Sequence, residues 1–243
     1  MERLENRPLT VRAKEALTDS IVNGAFPDGW LPAEDRLARQ MGVSRPTLRA
    51  AMRSLEEEGL VTRQRGIGTR VNLHVARSRL SLSRAVGFYD LIEEAGFKPS
   101  LCYTKVTNAP VPPEAMTRWS HTDETELVQI ERLIAADGEP DVHLVEMVNP
   151  RALTTRLTDE SPMGRSIFEL ADRYCTRPID HTLVEIIPVA ASDYIAGELE
   201  VEVGHPLLRL IETHYDASGE AFIVSLIHLV DRHLRFTVVR RRS

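Results

Sequence analysis

At 243 residues, with 42% apolar and 27% charged side chains, the chain exceeds an ordinary domain of about 100–150 residues and predicts two separate cores. This balance excludes a fibrous or wholly disordered protein. No apolar run reaches the length of about 18 residues that a spanning helix needs, and MERLENRPLT lacks the order of a secretory leader, so a cytoplasmic protein without a membrane partner is expected. Net charge is −6, but it is unevenly spread: residues 1–75 hold twelve Arg and Lys against ten Asp and Glu, and residues 76–243 eighteen against twenty-six. The stretches 36–55 and 59–89 carry five and six arginines and no acid, which makes them the candidate phosphate-facing surface. Cys102 and Cys175 lack a metal-type spacing and read as structural.

Ala13, Ala16, Leu17 and Ile21 recur at helical spacing and Gly24 stops the run, so a first helix is expected near residues 10–23. A second begins around Pro32, where a missing N–H is tolerated, carries Leu37, Ala38 and Met41 as its apolar stripe, and ends at Gly42. Ser44 is an N-cap for a third, with Pro46 in its first turn, Leu48, Ala51, Met52 and Leu55 on its buried stripe, and Gly59 closing it. Two short helices joined by a tight glycine-containing turn form a helix-turn-helix, whose second helix enters the major groove of DNA. At 100° per residue, Arg45, Arg49 and Arg53 fall well away from the apolar stripe. Guanidinium groups fork onto guanine edges or phosphates, so Arg45, Thr47 and Arg49 are the expected readers, with Ser44 as phosphate donor and cap. Residues 60–71 read as two strands around a glycine-rich turn, a wing in which Gly66 and Gly68 permit close approach to DNA and Arg65, with Arg63 or Arg70, meets phosphates or the minor groove.

The run LPAEDRLARQMGVSRPTLRAAMRSLEEEGLVTRQRGIGTRV, residues 31–71, resembles the DNA-binding domain of the GntR family. That resemblance implies operator contacts at Arg45, Thr47, Arg49 and Gly66 and a hydroxyl-bearing cap at Ser44. Where many members have arginine this chain has Asp35, which passes that contact to the adjacent Arg36 or loses it.

Residues 74–84 lack an apolar period and read as a linker between a 1–73 DNA-binding domain and an 85–243 second domain. There, Phe88, Leu91, Ile92 and Ala95 predict a helix ending at Gly96. A slide of 81 positions aligns ELVQIERLIAADGEPDVHLVEMV with PLLRLIETHYDASGEAFIVSLIHL, matching Glu131 to Glu212 and Gly138 to Gly219. Each half reads as a long strand, a tight turn and a returning strand, with a short helix ahead of it near Pro113–Trp119 and Ser192–Leu199. The duplication predicts one antiparallel sheet with pseudo-twofold symmetry and a ligand cleft where the halves meet. Glu146, Ser225 and His228 lie on the returning strands and face that cleft in one register; a slip of one residue turns them to the other face.

EEAGFKPS, ERLIAADGEP, GRSIFELADRY and DRHLRFTVVRRR, in that order across residues 80–243, resemble the UTRA domain of HutC-type GntR members. The resemblance implies an α+β protein, a winged helix-turn-helix followed by a chorismate-lyase-like antiparallel-sheet domain. It also implies a small-molecule effector, with Arg132 on an anionic group and Ser166 and Phe168 lining the pocket. Relatives that bind sugar phosphates often carry a second arginine where Ile134 stands and an acid near Phe222. The expectation is a homodimeric transcription regulator, a repressor on palindromic double-stranded operator DNA, with no cofactor and no metal. A constitutive DNA-binding protein whose second domain only dimerises is the alternative, and a lyase-like enzyme a weaker one. His143, His181, His214 and His228 have no metal-type spacing, and no HxxEH, GxSxG or phosphate-loop pattern occurs.

Overall fold

The structure is a computed structural model describing residues 8–22, 24–76, 86–119 and 126–236. The chain divides into two compact units, one within residues 1–81 and one spanning residues 82–236.

In the first unit, α1 (Leu9–Val22), α2 (Glu34–Met41) and α3 (Arg45–Glu57) bury most of the stripes their spacing predicts, except that Ala16 is exposed and Met41 half-buried. Leu17, Ile21, Leu37, Leu48, Met52 and Leu55 form one core with Val61 and Val71 of the strands β1 (Val61–Gln64) and β2 (Gly68–Val71). Gly42 ends α2 at φ +65°, a conformation that costs L side chains but not glycine. Its neighbour Val43 then donates back to the Ala38 carbonyl at 3.1 Å, which sets the sharp entry into α3. Ser44 caps α3 by accepting from the Thr47 amide at 3.2 Å. β1 and β2 pair antiparallel, and Trp30 bridges to Arg70 on the outer side. Leu73–Ala76 adds a helical turn, α4, so the linker expected over 74–84 begins as helix; the remainder of that linker lies outside the described residues.

The second unit is one six-stranded antiparallel sheet, in the order β3 (Pro99–Pro110), β4 (Glu126–Ala136), β5 (Glu139–Val148), β8 (Ala221–Leu229), β7 (Pro206–Tyr215), β6 (His181–Ala190). The order is two three-stranded units joined through β5 and β8, as the duplication requires. The hairpin β4–β5 turns through Asp137 and Gly138, both at positive φ, the geometry an Asp-Gly pair favours. Strands β3 and β6, which the alignment of halves did not include, form the two edges. Each strand alternates faces. One face carries Ile130, Val148 and Ile223 under α7 (Ile167–Tyr174) and the 3₁₀ turn Pro150–Ala152, with α5 (Phe88–Ala95) beside them. The other carries Leu127, Met147 and Val224 beneath Ala115 of α6 (Pro113–Met116) and Trp119, and Leu133 and Leu207 beneath Ile195 and Ala196 of α8 (Asp193–Glu198).

The two halves are out of step by one residue. Arg132 on β4 pairs with Leu144 on β5, and the residue 81 positions after Leu144 is Ser225, whose partner on β7 is Glu212. Arg132, not Glu131, is therefore the structural counterpart of Glu212. The slip arises because the first hairpin has a two-residue turn and a bulge at Ile134/Ala135, whereas the second leaves five residues, 216–220, between Tyr215 and Ala221 and bulges at His214/Tyr215.

Leu48 is fully buried at the centre of the first core, so Leu48→Ala should lower the urea-unfolding free energy of this unit by about 2–5 kcal/mol. A loss below measurement error would show that α3 is not packed as described.

Candidate nucleic-acid interface and ligand pocket

The expected DNA readers lie on the outer side of α3. Arg45 and Arg49 are more than half exposed, Thr47 is half-buried beside Ser44 with hydroxyls 2.7 Å apart, and Arg36 projects from α2 into solvent. Two acids in the first turn of α2, missed by sequence reasoning as partners, organise these arginines. Glu34 accepts from Arg49 Nε at 2.7 Å through one oxygen and from Arg63 Nη2 at 2.5 Å through the other, which ties the recognition helix to the wing. Asp35 pairs with Arg45, one of the expected readers. At the wing tip Arg65, Gly66, Ile67 and Gly68 are all exposed, with Gly66 at φ +78° and Gly68 at φ +146°. The Trp30 ring lies beside Gly68, within ordinary contact distance of where a Cβ would stand, so it is the positive φ rather than lack of space that favours glycine here. Exposed ion pairs of this kind are worth about 0–1 kcal/mol, which leaves the guanidinium groups free to exchange a carboxylate for a phosphate.

In the second unit a small, partly open crevice lies between the sheet, α5 and the start of α7. Five of the six expected effector residues line it: Arg132, Glu146, Ser166, Phe168 and Ser225. The sixth, His228, does not. It pairs with His143 across β5–β8 and therefore points to the opposite face, its ring centroid 6.0 Å from that of His143; alternation along β8 sends Ser225 and His228 to opposite sides. There burial, with the His143 and Arg209 charges adding to it, pushes the His228 imidazole down to about 4.

Arg132 and Glu146 are 2% and 1% exposed and form a 2.5 Å ion pair. Neither is saturated: Arg132 Nε and Glu146 Oε2 are buried without a hydrogen-bond partner. Arg132 is thus already neutralised and differs from the free anion-binding arginine that resemblance implied. Across the same face Glu146 pairs with Ser225 and Ser225 with Glu212, a polar rung over three strands. Burial, reinforced by the nearby Glu146 charge, pushes the Glu212 carboxyl up to about 7. His214, on the same face, lies between Thr182 Oγ1 at 2.8 Å and Ser225 Oγ at 3.0 Å, and burial drives it down to about 3, so it is neutral. Its Nε2 is 3.7 Å from Glu212. Phe168 packs edge-on to His214 with centroids 6.0 Å apart.

Two helix starts meet at the other end of the crevice. Ser166 caps α7, accepting from the Glu169 amide at 3.2 Å, while Gly87 precedes α5 and supplies no side-chain cap. A Cβ on Gly87 would lie 2.7 Å from Ser166 Cβ, so only glycine lets the two termini come this close. Arg165 also reaches the crevice but pairs with Glu93 at 2.7 Å and Asp90 at 3.3 Å. Glu212, Gly87 and Arg165 were not singled out from the sequence; the alignment of halves touched Glu212 but matched it to a residue on the opposite face. Among the described residues no cluster of His, Cys, Asp and Glu fits a metal, and no helix is long and apolar enough to cross a membrane.

Residues 9–71 match the bacterial regulatory proteins of the gntR family, and residues 94–233 match the UTRA domain. The chain belongs to the GntR family. It is a transcriptional regulator with a UTRA domain. It is 29% identical to the HTH-type transcriptional repressor NagR of Bacillus subtilis over 88% of this chain and 87% of that one. It is 32% identical to the HTH-type transcriptional regulator GgaR of Escherichia coli over 68% of this chain and 64% of GgaR. Among solved structures, the possible transcriptional regulator YydK of Bacillus subtilis superposes with a TM-score of 0.76 at 18% identity, covering 95% of this chain and all of that one, a likeness of fold.

The unpaired Glu212 gives a measurable pH signature. Its carboxyl is protonated more readily in the folded than in the unfolded chain, so its contribution to stability is fully present below its ordinary value of 4.5 and is lost as pH rises through about 7. Glu212→Gln should therefore unfold at higher urea than wild type at pH 8, by on the order of 2 kcal/mol, with the difference shrinking towards pH 5. A variant less stable than wild type at pH 8 would mean that the surroundings of Glu212 do not oppose its ionisation.

Proposed function

We propose that this regulator is a homodimeric repressor in the cytoplasm whose hold on a palindromic operator is set by a small effector in the crevice between α5, α7 and the sheet. Arg45, Thr47 and Arg49 read base edges or phosphates in the major groove; Ser44 and Arg36 hold the backbone; Arg65, Gly66 and Gly68 carry the wing against phosphate or minor groove. The carrying observation is the pair of unsaturated buried groups, Arg132 Nε and Glu146 Oε2, lining a crevice in the second unit. Buried polar groups are normally satisfied, and of the nine buried side-chain atoms without a partner among the described residues these two line the crevice; a ligand that supplies a donor and an acceptor completes them. The repressor named NagR, similar over most of both chains, favours the same sign of regulation.

Effector binding shifts the population of dimers in which both recognition helices fit successive major grooves, a coupling of about 1–3 kcal/mol, or roughly 5–150-fold in operator affinity. The test begins with duplexes selected from a random pool on the full-length protein, followed by anisotropy titrations at fixed salt. Arg49→Ala should weaken binding to the selected duplex about 10–100-fold while leaving thermal unfolding unchanged; undiminished affinity rejects the recognition-helix assignment. A low-molecular-weight cell extract that releases wild type should fail to release the double variant Arg132→Met/Glu146→Leu, which removes the pair without stranding a charge. Normal release of that variant places the effector elsewhere.

A further inference from the structure

The crevice is electrically two-ended. At the sheet end, Glu146 and Glu212 flank Ser225 on one rung, and Arg132 is the one cation lining that end, already bound to Glu146. At the helix end, the starts of α5 and α7 converge at Gly87 and Ser166, each presenting the positive pole of its helix, and Gly87 leaves the first turn of α5 uncapped. Between the ends the walls are Phe88, Ile134, Leu144, Ile167, Phe168 and Ile227, which offer no hydrogen-bonding side chain to a polyol. A phosphate or simple carboxylate placed at the sheet end meets two carboxylates and no free cation. A simple amine leaves the uncapped first turn of α5 without an acceptor.

Resting on the effector reading above, we infer that the effector is a small zwitterion with an apolar body, its ammonium group held between Glu146 and Glu212 and its carboxylate at the Gly87–Ser166 end. The ammonium donates to Glu146 Oε2, the buried acceptor that lacks a partner, and supplies the counter-charge that Glu212 lacks. Facing Glu212 are Glu146 from β5, Arg132 from β4, neutral His214 on its own strand and Arg165 before α7, while β8 offers Ser225, β6 pairs Val184 with it and α5 presents Phe88. An ammonium group at this position favours ionised Glu212, so binding tightens as pH rises.

Calorimetric titration of the full-length protein with two matched trios tests this: L-leucine with isopentylamine and 4-methylpentanoate, and 6-aminohexanoate with hexylamine and hexanoate, with glucose 6-phosphate alongside. At pH 8 at least one zwitterion should bind about tenfold or more tightly than both its amine and its acid counterpart. From pH 8 to pH 6 that binding should weaken about tenfold, the change expected for a carboxyl titrating near 7 whose ionised form is required. Glu212→Gln, a near-isostere, should remove both the pH dependence and the advantage over the acid. Tightest binding by an acid or by glucose 6-phosphate, unaffected by Glu212→Gln, overturns the zwitterion; if the Arg132→Met/Glu146→Leu variant abolishes that binding, the crevice remains the effector site. Binding that survives both variants overturns the crevice as well. No heat from any probe up to about 10 mM, the edge of measurable affinity, also overturns the zwitterion.

Discussion

The pairing of β5 with β8 decides what the second unit is able to bind. Because Glu146 faces Ser225 across that pair and Ser225 faces Glu212 across the next, two acids from opposite halves of the duplicated chain share one face and one rung. The low polarity around them makes the arrangement costly to leave incomplete. Arg132 offsets one acid, and its own Nε and the far oxygen of Glu146 stay unsatisfied. The other acid holds its proton to an unusually high pH because burial and its neighbour both oppose ionisation. A domain folded only for packing would replace such a rung with aliphatic side chains, as it does one rung along, where Leu144, Ile227 and Leu210 line up.

The first unit follows a different economy of charge. Arg45, Arg49 and Arg63 stay exposed and are held by acids of α2 rather than buried, with Glu34 spanning α3 and the wing and Asp35 holding Arg45. Pairs of this kind contribute little to folding but restrict where long side chains point before DNA arrives, and they are readily exchanged because a phosphate offers the same fork to a guanidinium.

How legible each part was depended on how local its cause was. The winged helix was readable from Ser44, Gly42, Pro46 and the stripes of α2 and α3, because caps and helical periodicity act within a few residues. The hairpins β4–β5 and β7–β8 announced themselves through their turns and their likeness to one another. The edge strands β3 and β6 were not singled out, since both carry interior or terminal prolines and half-exposed faces without clean alternation. The face of His228 and the counterpart of Arg132 were hidden for another reason. Each depends on where a bulge falls and how many residues a turn takes, and a single-residue difference reverses the face. Gly87 had no sequence signal because its role comes from the close approach of Ser166, some eighty positions away.

The titration of Glu212 is the most direct check on the rung. Carboxyl ¹³C NMR of uniformly glutamate-labelled full-length protein, with the Glu212 signal identified by its disappearance in Glu212→Gln, should show this carboxyl titrating near 7 in the ligand-free protein. A Glu212 signal that titrates at the ordinary carboxylate value of about 4.3 would mean that β7 is not in the register described and that the two acids do not share a buried face.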